Sequence, residues 1–252
     1  ELTWTGVPAG AVVSIPLSGA TGLNGFVDVI RWSHGATRHG VPQYTLATDI
    51  STKLTFTNPA DAPATIIARI TVNSASGGYT RLGGTWTNGS YLSDVVVTVP
   101  GGSLGNNTRW GLGSVDGETS GTPKLTSLEE GFLNCSTLTL VPNRPPDTIT
   151  NMTSTFKGCT DFNSGDNTLA GSTINTWQIS NVTVMTSMFE DAEKFNQEIP
   201  TWVTTSVVDM SKMFKGAKAF DEDIDYNAGG GTSGYWKTES VTSMSEMFSG
   251  AS

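Results

Sequence analysis

Four acidic residues lie close together near the end of the chain, at Asp221, Glu222, Asp223 and Asp225. Carboxylate oxygens collected in a short loop are ligands that Ca²⁺ favours, so this cluster is a candidate calcium site. A similar polar stretch, Asn196-Gln197-Glu198, occurs 25 residues earlier. Solvated surface positions therefore explain the cluster without a metal, and the sequence leaves both interpretations open.

Imidazole is supplied only by His34 and His39, which lie in a stretch that also contains Gly35 and Gly40. Because a zinc site needs three or four convergent ligands, two histidines five residues apart favour a surface turn. Paired carboxylates can hydrolyse glycosides, but no pattern in the sequence places two of them across a cleft. The sequence therefore predicts a protein without catalytic residues, without a cofactor and without enzymatic activity.

The elements that position these side chains are set by a repeat in the second half of the chain. The pattern Val-x-x-Met-x-x-x-Phe-x-x-Cys/Ala-x-x-Phe returns five times between Leu125 and Ala251, and we number the copies units 1 to 5. Each unit has a Leu or Met anchor, followed four residues later by a Phe. The anchors are Leu128, Met152, Met185, Met210 and Met244, and the phenylalanines are Phe132, Phe156, Phe189, Phe214 and Phe248.

The repeat spacing predicts a stack of similar units. Successive repeat phenylalanines are 24, 33, 25 and 34 residues apart, and the extra residues fall within 163–173 and 227–235, where turn-forming residues predict loops. Units of about 20 to 29 residues with fixed apolar anchors have the size of leucine-rich-repeat units. The Met and Phe series is therefore predicted to form a stacked structural core, together with Trp177, Trp202 and Trp236.

Two local structures are predicted inside each unit. The spacing typical of one helix face predicts a short helical or irregular turn at Val207, Met210, Phe214 and Ala217. The stretches 138–140 and 195–199 are predicted to be extended and to pair with neighbouring units as a narrow parallel sheet.

The two cysteines, Cys135 and Cys159, hold the same position in units 1 and 2. They should lie about one strand spacing apart, roughly 4.8 Å. That separation permits a disulfide, but parallel side chains disfavour one, so buried structural thiols are the favoured interpretation.

The repeats resemble those of a known family of surface proteins. The stretch Trp202-x-x-Thr-Ser-Val207-x-x-Met210-x-x-Met213-Phe214-x-Gly-Ala217-x-x-Phe220 is similar to BspA-like leucine-rich repeats, and unit 1 resembles their Leu- and Cys-rich variant. The resemblance covers residues 122–252. It implies a right-handed solenoid on a secreted or surface-displayed protein used in adhesion or extracellular assembly, and it brings no catalytic residues.

The first half lacks the repeat and instead has short apolar or alternating runs between Gly and Pro residues. These runs, at 11–17, 26–32, 53–57, 65–72 and 94–99, predict a small antiparallel β-sandwich over residues 1–100. The stretch Phe26-Val-Asp-Val-Ile-Arg-Trp32-Ser-His-Gly35 resembles the strand and turn of PKD-like sandwich domains, with Ser33 and His34 in place of the family's Gly and Asp.

Residues 101–123 are predicted to connect the sandwich to the five repeats of 124–252, or to cap them. Trp110 and Leu112 could cover the exposed end of unit 1, because terminal faces of a solenoid need covering. The fold class expected is thus mainly β with short helical turns, a sandwich followed by a solenoid whose last repeat is incomplete.

Charge restricts the partners. The net charge of -9 is concentrated after residue 120, where sixteen acids face eight bases. Nucleic-acid binding needs a basic face, so this balance argues against it. No apolar stretch is long enough to span a bilayer. The sequence begins at Glu1 without the pattern of a signal peptide, which suits either a processed mature chain or a fragment of a longer one. The resemblance implies an extracellular, cell-surface or virion-surface location.

Five Asn-x-Ser/Thr sequons occur, at Asn88, Asn106, Asn134, Asn151 and Asn181. Asn134 and Asn151 flank core anchors. Asn88 and Asn106 are therefore the better glycosylation candidates.

Two functions compete. The first is a non-enzymatic extracellular structural protein that forms or decorates a surface assembly or filament. Either further repeats follow Ser252 or another subunit covers the end of unit 5, so its partners would be proteins, including copies of itself bound through that end. The second is an adhesin or glycan-binding module that displays recognition loops on a repeat stalk.

Overall fold

The computed structural model describes residues 2–15, 17–18, 25–34, 37–39, 43–46, 54–58, 62–72, 81–82, 87–95, 126–139, 141, 145, 148–163, 174–224 and 236–251. Within these ranges the fold is mainly β or irregular, and the helices are two 3₁₀ turns, Gly89–Tyr91 and Ile174–Thr176. The mainly β character predicted from the sequence is confirmed at this level. None of the helices in the ranges given is long and apolar enough to cross a membrane.

Ten strands lie in the described part of the first half. They are β1 (Leu2–Val7), β2 (Val12–Ile15), β3 (Leu17–Ser18), β4 (Gly25–His34), β5 (Thr37–His39), β6 (Gln43–Leu46), β7 (Leu54–Thr57), β8 (Ala64–Val72), β9 (Arg81–Leu82) and β10 (Leu92–Val95). The largest sheet runs β10-β1-β8-β4-β5, with β6 also paired to β4, and its pairings are antiparallel. Two smaller antiparallel sheets pair β2 with β7 and β3 with β9.

The sequence located the longer of these strands and missed the short ones. The predicted runs at 26–32 and 65–72 fall inside β4 and β8, which pair along most of their length. The run at 94–99 overlaps only the end of β10 in the described residues. β5 was missed because three residues are too few to show alternation. His34 and His39 lie in the β4–β5 hairpin rather than in a turn, since His34 pairs with Thr37 and His39 with Trp32.

The first half is tied together by one buried amide and a small apolar core. Asn58 is buried, and its side-chain nitrogen donates to the backbone oxygens of Val7, Pro8 and Ala62 at 2.8, 3.0 and 3.0 Å. These bonds hold the end of β1 against the segment between β7 and β8. The buried apolar side chains around it include Trp4, Val7, Val13, Ile15, Ile66 and Leu92.

The second half is a stack of the five units in chain order. Parallel bridges link Ser127 to Asn151, Asn151 to Val184, Val184 to Asp209 and Asp209 to Ser243, each residue lying just before its unit's anchor. The parallel pairing predicted for 138–140 and 195–199 is wrong in position, because residues 138–139 and 195–199 form no such bridge. Contact there is made partly by side chains instead: the Asn163 amide oxygen accepts the backbone N–H of Asn196 at 3.0 Å.

The segment from anchor to small residue is two consecutive turns, so the helical alternative predicted for it is wrong. In unit 4, Met213 N–H donates to Met210 O at 3.2 Å and Ala217 N–H donates to Phe214 O at 3.1 Å. Each turn has a residue with positive φ at its third position, such as Lys212 (58°) and Gly216 (69°). Left-handed residues every four positions are incompatible with a right-handed helix, yet they reproduce its apolar spacing.

Candidate functional site

The repeat anchors of units 1 to 4 belong to one continuous core, whereas Met244 and Phe248 of unit 5, which were predicted to be part of it, are exposed because the described residues place no further unit against them. The anchors and phenylalanines of units 1 to 4 are fully buried, and so are Trp177 and Trp202, whereas Trp236 is partly buried. Neighbouring repeat phenylalanines are stacked, with ring centroids 5.5, 5.5, 5.6 and 5.5 Å apart from Phe132 to Phe248. A second column of rings lies beside the first, and it consists of Phe162, Phe195 and Phe220. Offset stacking at these distances is favourable for aromatic pairs.

Trp202 and Trp236 each make a hydrogen bond to an earlier part of the stack. The indole N–H of Trp202 donates to Ile174 O at 3.0 Å, and that of Trp236 donates to Ile199 O at 3.0 Å. A buried indole needs such an acceptor, which explains why the Trp position recurs with the unit.

A ladder of backbone hydrogen bonds runs in one direction through the stack. At each interface the N–H groups of four alternate residues, starting at the anchor, donate to carbonyl oxygens of the next unit. Between units 3 and 4, for example, the donors are Met185, Ser187, Phe189 and Asp191, and the acceptors are Asp209, Ser211, Met213 and Lys215. Other backbone bonds run in the opposite direction, as from Val208 N–H to Thr183 O and from Thr242 N–H to Val208 O, both at 2.8 Å, so each unit both donates to and accepts from its neighbours.

The outer side of unit 5 presents the N–H groups of this ladder unpaired, and we call it the open face. It comprises Met244, Glu246, Phe248 and Gly250, whose backbone N–H groups have no hydrogen-bond partner within the described residues. Met244 is 44% exposed and Phe248 is 46% exposed, although their counterparts in units 1 to 4 are buried. The open face thus combines four directed donors with two apolar side chains.

The outer side of unit 1, which we call the capped face, is covered. Its anchors Leu128 and Phe132 are fully buried. Residues of the first half contact unit 1: Thr139 N–H donates to Ser93 O at 3.0 Å, and the Thr137 hydroxyl donates to Leu92 O at 3.0 Å. The Thr137 hydroxyl also donates to Ser90 O at 2.7 Å, so the 3₁₀ turn Gly89–Tyr91 and β10 lie against unit 1. Trp110 and Leu112, predicted to do this, lie outside the described residues.

Charged side chains of alternating sign also connect the units. Lys157 pairs with Glu190 at 2.8 Å, and Lys215 pairs with Glu246 at 2.5 Å. Burial raises the pKa of the Glu190 carboxyl, but hydrogen bonds from Lys157 and Ser187 outweigh it, so its pKa is lowered. The hydrogen bond from Lys215 is the main cause of the lowered pKa of Glu246. This row of charges ends at the open face with an acid.

Three of the candidate calcium ligands, Asp221, Glu222 and Asp223, lie among the described residues. Asp221 uses its backbone N–H to bond the Asn196 amide oxygen at 2.9 Å, which continues the side-chain ladder from Asn163. No group of three metal-ligating side chains occurs among the residues that the structure describes. Asp225 lies outside them. The alignment with Asn196 explains Asp221 as a repeat position.

Cys135 and Cys159 are free, buried thiols in adjacent units. Burial raises the pKa of both, and the neighbouring Cys159 adds to the rise at Cys135. The Cys159 thiol donates to Phe132 O at 2.9 Å, across the interface between units. Neutral thiols of this kind are poor nucleophiles, so they serve packing.

The glycosylation candidates are only partly described. Asn88 is exposed with φ of 53°, and its amide nitrogen donates to Val12 O at 2.8 Å. Asn106 lies outside the described residues, as do 164–173 and 225–235, which contain nearly all of the predicted insertion loops.

Sequence reasoning missed the residues that shape the turns. The position one before the small residue is Asn134, Gly158, Asp191, Gly216 or Gly250, and all five have positive φ. Gly, Asn and Asp are the residues that adopt this conformation most readily. Their recurrence at one position per unit is the sequence signal for these turns.

The stack defines a class of protein, one built from short stacked repeats on a mainly β framework. Residues 126–252 match the family described as "Mycoplasma protein of unknown function, DUF285". The match covers half of the chain, and the chain belongs to this family. No curated protein and no solved structure matches the chain.

Proposed function

We propose that this chain is a non-enzymatic extracellular structural protein that forms or decorates a surface assembly through its repeat stack. The observation that carries the proposal is the repeat stack. The anchors and phenylalanines of units 1 to 4 are buried, and the backbone N–H groups at these positions donate to the next unit. A stack in which each unit buries its apolar side against its neighbours suits a structural role.

The finer architecture belongs to the same proposal. We take units 1 to 5 as a leucine-rich-repeat-type solenoid of the BspA-like kind, because fixed anchors, parallel bridges and stacked phenylalanines recur in each unit. We take the three antiparallel sheets of the first half as a sandwich of the PKD-like kind. BspA-like repeats occur on surface-displayed proteins, and the resemblance of units 1 to 5 to them supports an extracellular location for this chain.

The repeat core supports a structural role over a catalytic one. Its Met, Phe and Trp side chains fill the interior and are fully buried from Leu128 to Phe214. The ion pairs of the repeats link neighbouring units, as Lys218 and Glu193 do at 2.7 Å. Side chains used in this way stabilise the contacts between neighbouring units of the stack.

Antibody labelling of intact cells of the source tests the location. An antibody against the whole chain should label intact cells as strongly as permeabilised ones. Labelling that appears only after permeabilisation would overturn the proposal. Electron microscopy of the labelled surface then separates a role in assembly from the adhesin alternative, because an assembly subunit should be found in ordered arrays and an adhesin as isolated projections.

A further inference from the structure

Unit 1 differs from the units that follow it at two positions, which lie nine and eleven residues after the anchor and which we call positions +9 and +11. At position +11 unit 1 has Thr139, whereas units 2 to 4 have Asn163, Asn196 and Asp221. At position +9 unit 1 has Thr137, whereas units 2 to 4 have Asp161, Lys194 and Ala219. The two threonines are thus particular to unit 1.

In units 3 and 4, positions +9 and +11 donate hydrogen bonds to the unit before them. In unit 3, the backbone N–H of Lys194 donates to Thr160 O at 3.1 Å, and that of Asn196 donates to the Asn163 amide oxygen at 3.0 Å. Unit 4 repeats both bonds, at 3.0 and 2.9 Å. Each of the two positions therefore has its acceptor in the preceding unit.

For unit 1 the acceptors come from the first half of the chain. The Thr139 N–H donates to Ser93 O at 3.0 Å, and the Thr137 hydroxyl donates to Ser90 O and Leu92 O at 2.7 and 3.0 Å. Position +11 uses its backbone N–H, as it does in units 3 and 4, whereas position +9 uses the threonine hydroxyl. β10 and the 3₁₀ turn before it thus supply unit 1 with the acceptors that a preceding unit supplies elsewhere in the stack.

The apolar cores of the two halves are also continuous. Leu92 of β10 is fully buried, and it belongs to the same cluster of buried side chains as Trp4 in β1 and Leu128 and Phe132 in unit 1. A domain usually has one contiguous cluster of this kind. The described residues thus contain no boundary between a core of the first half and a core of the repeats.

From these observations we propose that β10 and the 3₁₀ turn take the place of a preceding repeat unit, so that the first half and units 1 to 5 fold as one cooperative body. The first half is the cap that unit 1 requires, since the terminal units of a repeat stack need covering. Residues 126–252, which match the family, are on this account not an independently folding part of the chain. The inference goes beyond the proposed function and does not depend on the location of the protein.

Equilibrium unfolding of the chain of residues 1–252 tests the inference. The chain is labelled with ¹⁵N, and the folded amide signals of individual residues are followed as urea is added. We expect the signals of Ile66 in the first half and Phe189 in unit 3 to disappear at one midpoint, because a cooperative body gives coincident transitions with different probes.

A substitution at the contact between the halves sharpens the test. Thr137→Val removes the hydroxyl donor and keeps the shape of the side chain. It should lower the folded-to-unfolded ratio of both halves by the same factor, about two- to tenfold, the effect expected of one lost hydrogen bond. Thr150→Val is the matched control, because that hydroxyl donates to Thr126 O at 3.3 Å and Val208 holds the same position in unit 4. The control should change the ratio by about twofold or less.

A substitution inside the first half tests the coupling from the other side. Val13 is fully buried in β2. Because a cooperative body unfolds as a whole, Val13→Ala should move the midpoint of Phe189 to lower urea by as much as it moves the midpoint of Ile66.

Three results would overturn the inference. They are separate midpoints for Ile66 and Phe189 in the unsubstituted chain, a shift of Ile66 alone in the Val13→Ala variant, and equal effects of Thr137→Val and Thr150→Val. Each leaves the surface labelling untouched, so failure of this inference is distinguishable from failure of the proposed function.

Discussion

The two ends of the repeat stack have the same pattern of residues and different surroundings. Leu128 and Phe132 begin the stack and are fully buried, whereas Met244 and Phe248 occupy the same positions in unit 5 and are nearly half exposed. At the capped face, β10 lies against unit 1 through hydrogen bonds to Thr137 and Thr139. The contrast shows that burial in a repeat depends on its neighbours, since a single unit cannot bury its own apolar side.

The largest expected effect compares the two terminal phenylalanines. Phe132→Ala should destabilise the chain by about 3 to 5 kcal/mol, because it leaves a cavity in a fully buried site. Phe248→Ala should cost less than about 1.5 kcal/mol, because that ring is half exposed and, among the residues that the structure describes, it stacks on Phe214 alone. Urea denaturation of both variants measures the difference. Equal costs would mean that the open face is buried in solution.

The contact between β10 and unit 1 is tested by a substitution at Leu92, a buried residue of β10. Leu92→Ala should cost about 2 to 5 kcal/mol, since the side chain belongs to the core that is continuous with unit 1. Val208→Ala, at an exposed position of unit 4, is the control and should change stability by about 0.5 kcal/mol or less. If Leu92→Ala behaved like the control, β10 would not support the capped face.

The turn glycines sharpen the comparison at a smaller scale. Gly216→Ala and Gly250→Ala both place a side chain at positive φ, which costs about 1 to 2 kcal/mol. At Gly216 the new Cβ would also lie 2.3 Å from the Asp191 carboxylate, whereas at Gly250 its nearest atoms are 3.8 Å away. Thermal denaturation should therefore rank Gly216→Ala below Gly250→Ala. The reverse order would contradict this packing between units 3 and 4.

The smallest effect concerns pH and the inner ion pair. The pKa of Glu190 is lowered in the folded chain, so its contribution is present above the unfolded pKa and is lost as pH falls through the folded pKa. Replacing its partner in Lys157→Met should weaken this dependence, with a loss of about 1 kcal/mol or less at neutral pH, because Ser187 and Lys215 still lower the pKa of Glu190. Stability curves of both proteins between neutral and acidic pH provide the measurement. Parallel curves would show that the pair contributes nothing.

The sequence predicted the stacked core because an apolar residue recurs at the same position of each unit, and residues at equivalent positions of neighbouring units pack on one another. Met152, Phe189 and Trp202 are buried as the spacing required. It placed the parallel pairing wrongly, since residues such as Phe195 look extended but lie where side-chain amides make the contacts. It also allowed a helix where two turns occur, because left-handed residues every four positions repeat with nearly the period of a helix.

The difference between the two ends was only half visible in the sequence. The repeat pattern is uninterrupted from unit 1 to unit 5, so it predicts equal burial of Phe132 and Phe248 given equal neighbours. What covers unit 1 comes from β10, about 40 residues earlier, through contacts to Ser93 that no local pattern encodes. Long-range pairing of this kind cannot be deduced from spacing alone.

Hydrogen exchange of individual backbone amides in the chain of residues 1–252 tests the contrast most directly. The amide of Phe132 donates to Thr155 O at 2.8 Å, and the corresponding amides of units 2 to 4 are bonded in the same way. These amides should be strongly protected, whereas those of Met244, Glu246, Phe248 and Gly250 should exchange near the rate of an unstructured peptide. Strong protection at all four amides of the open face, in the isolated chain at low concentration, would contradict this account.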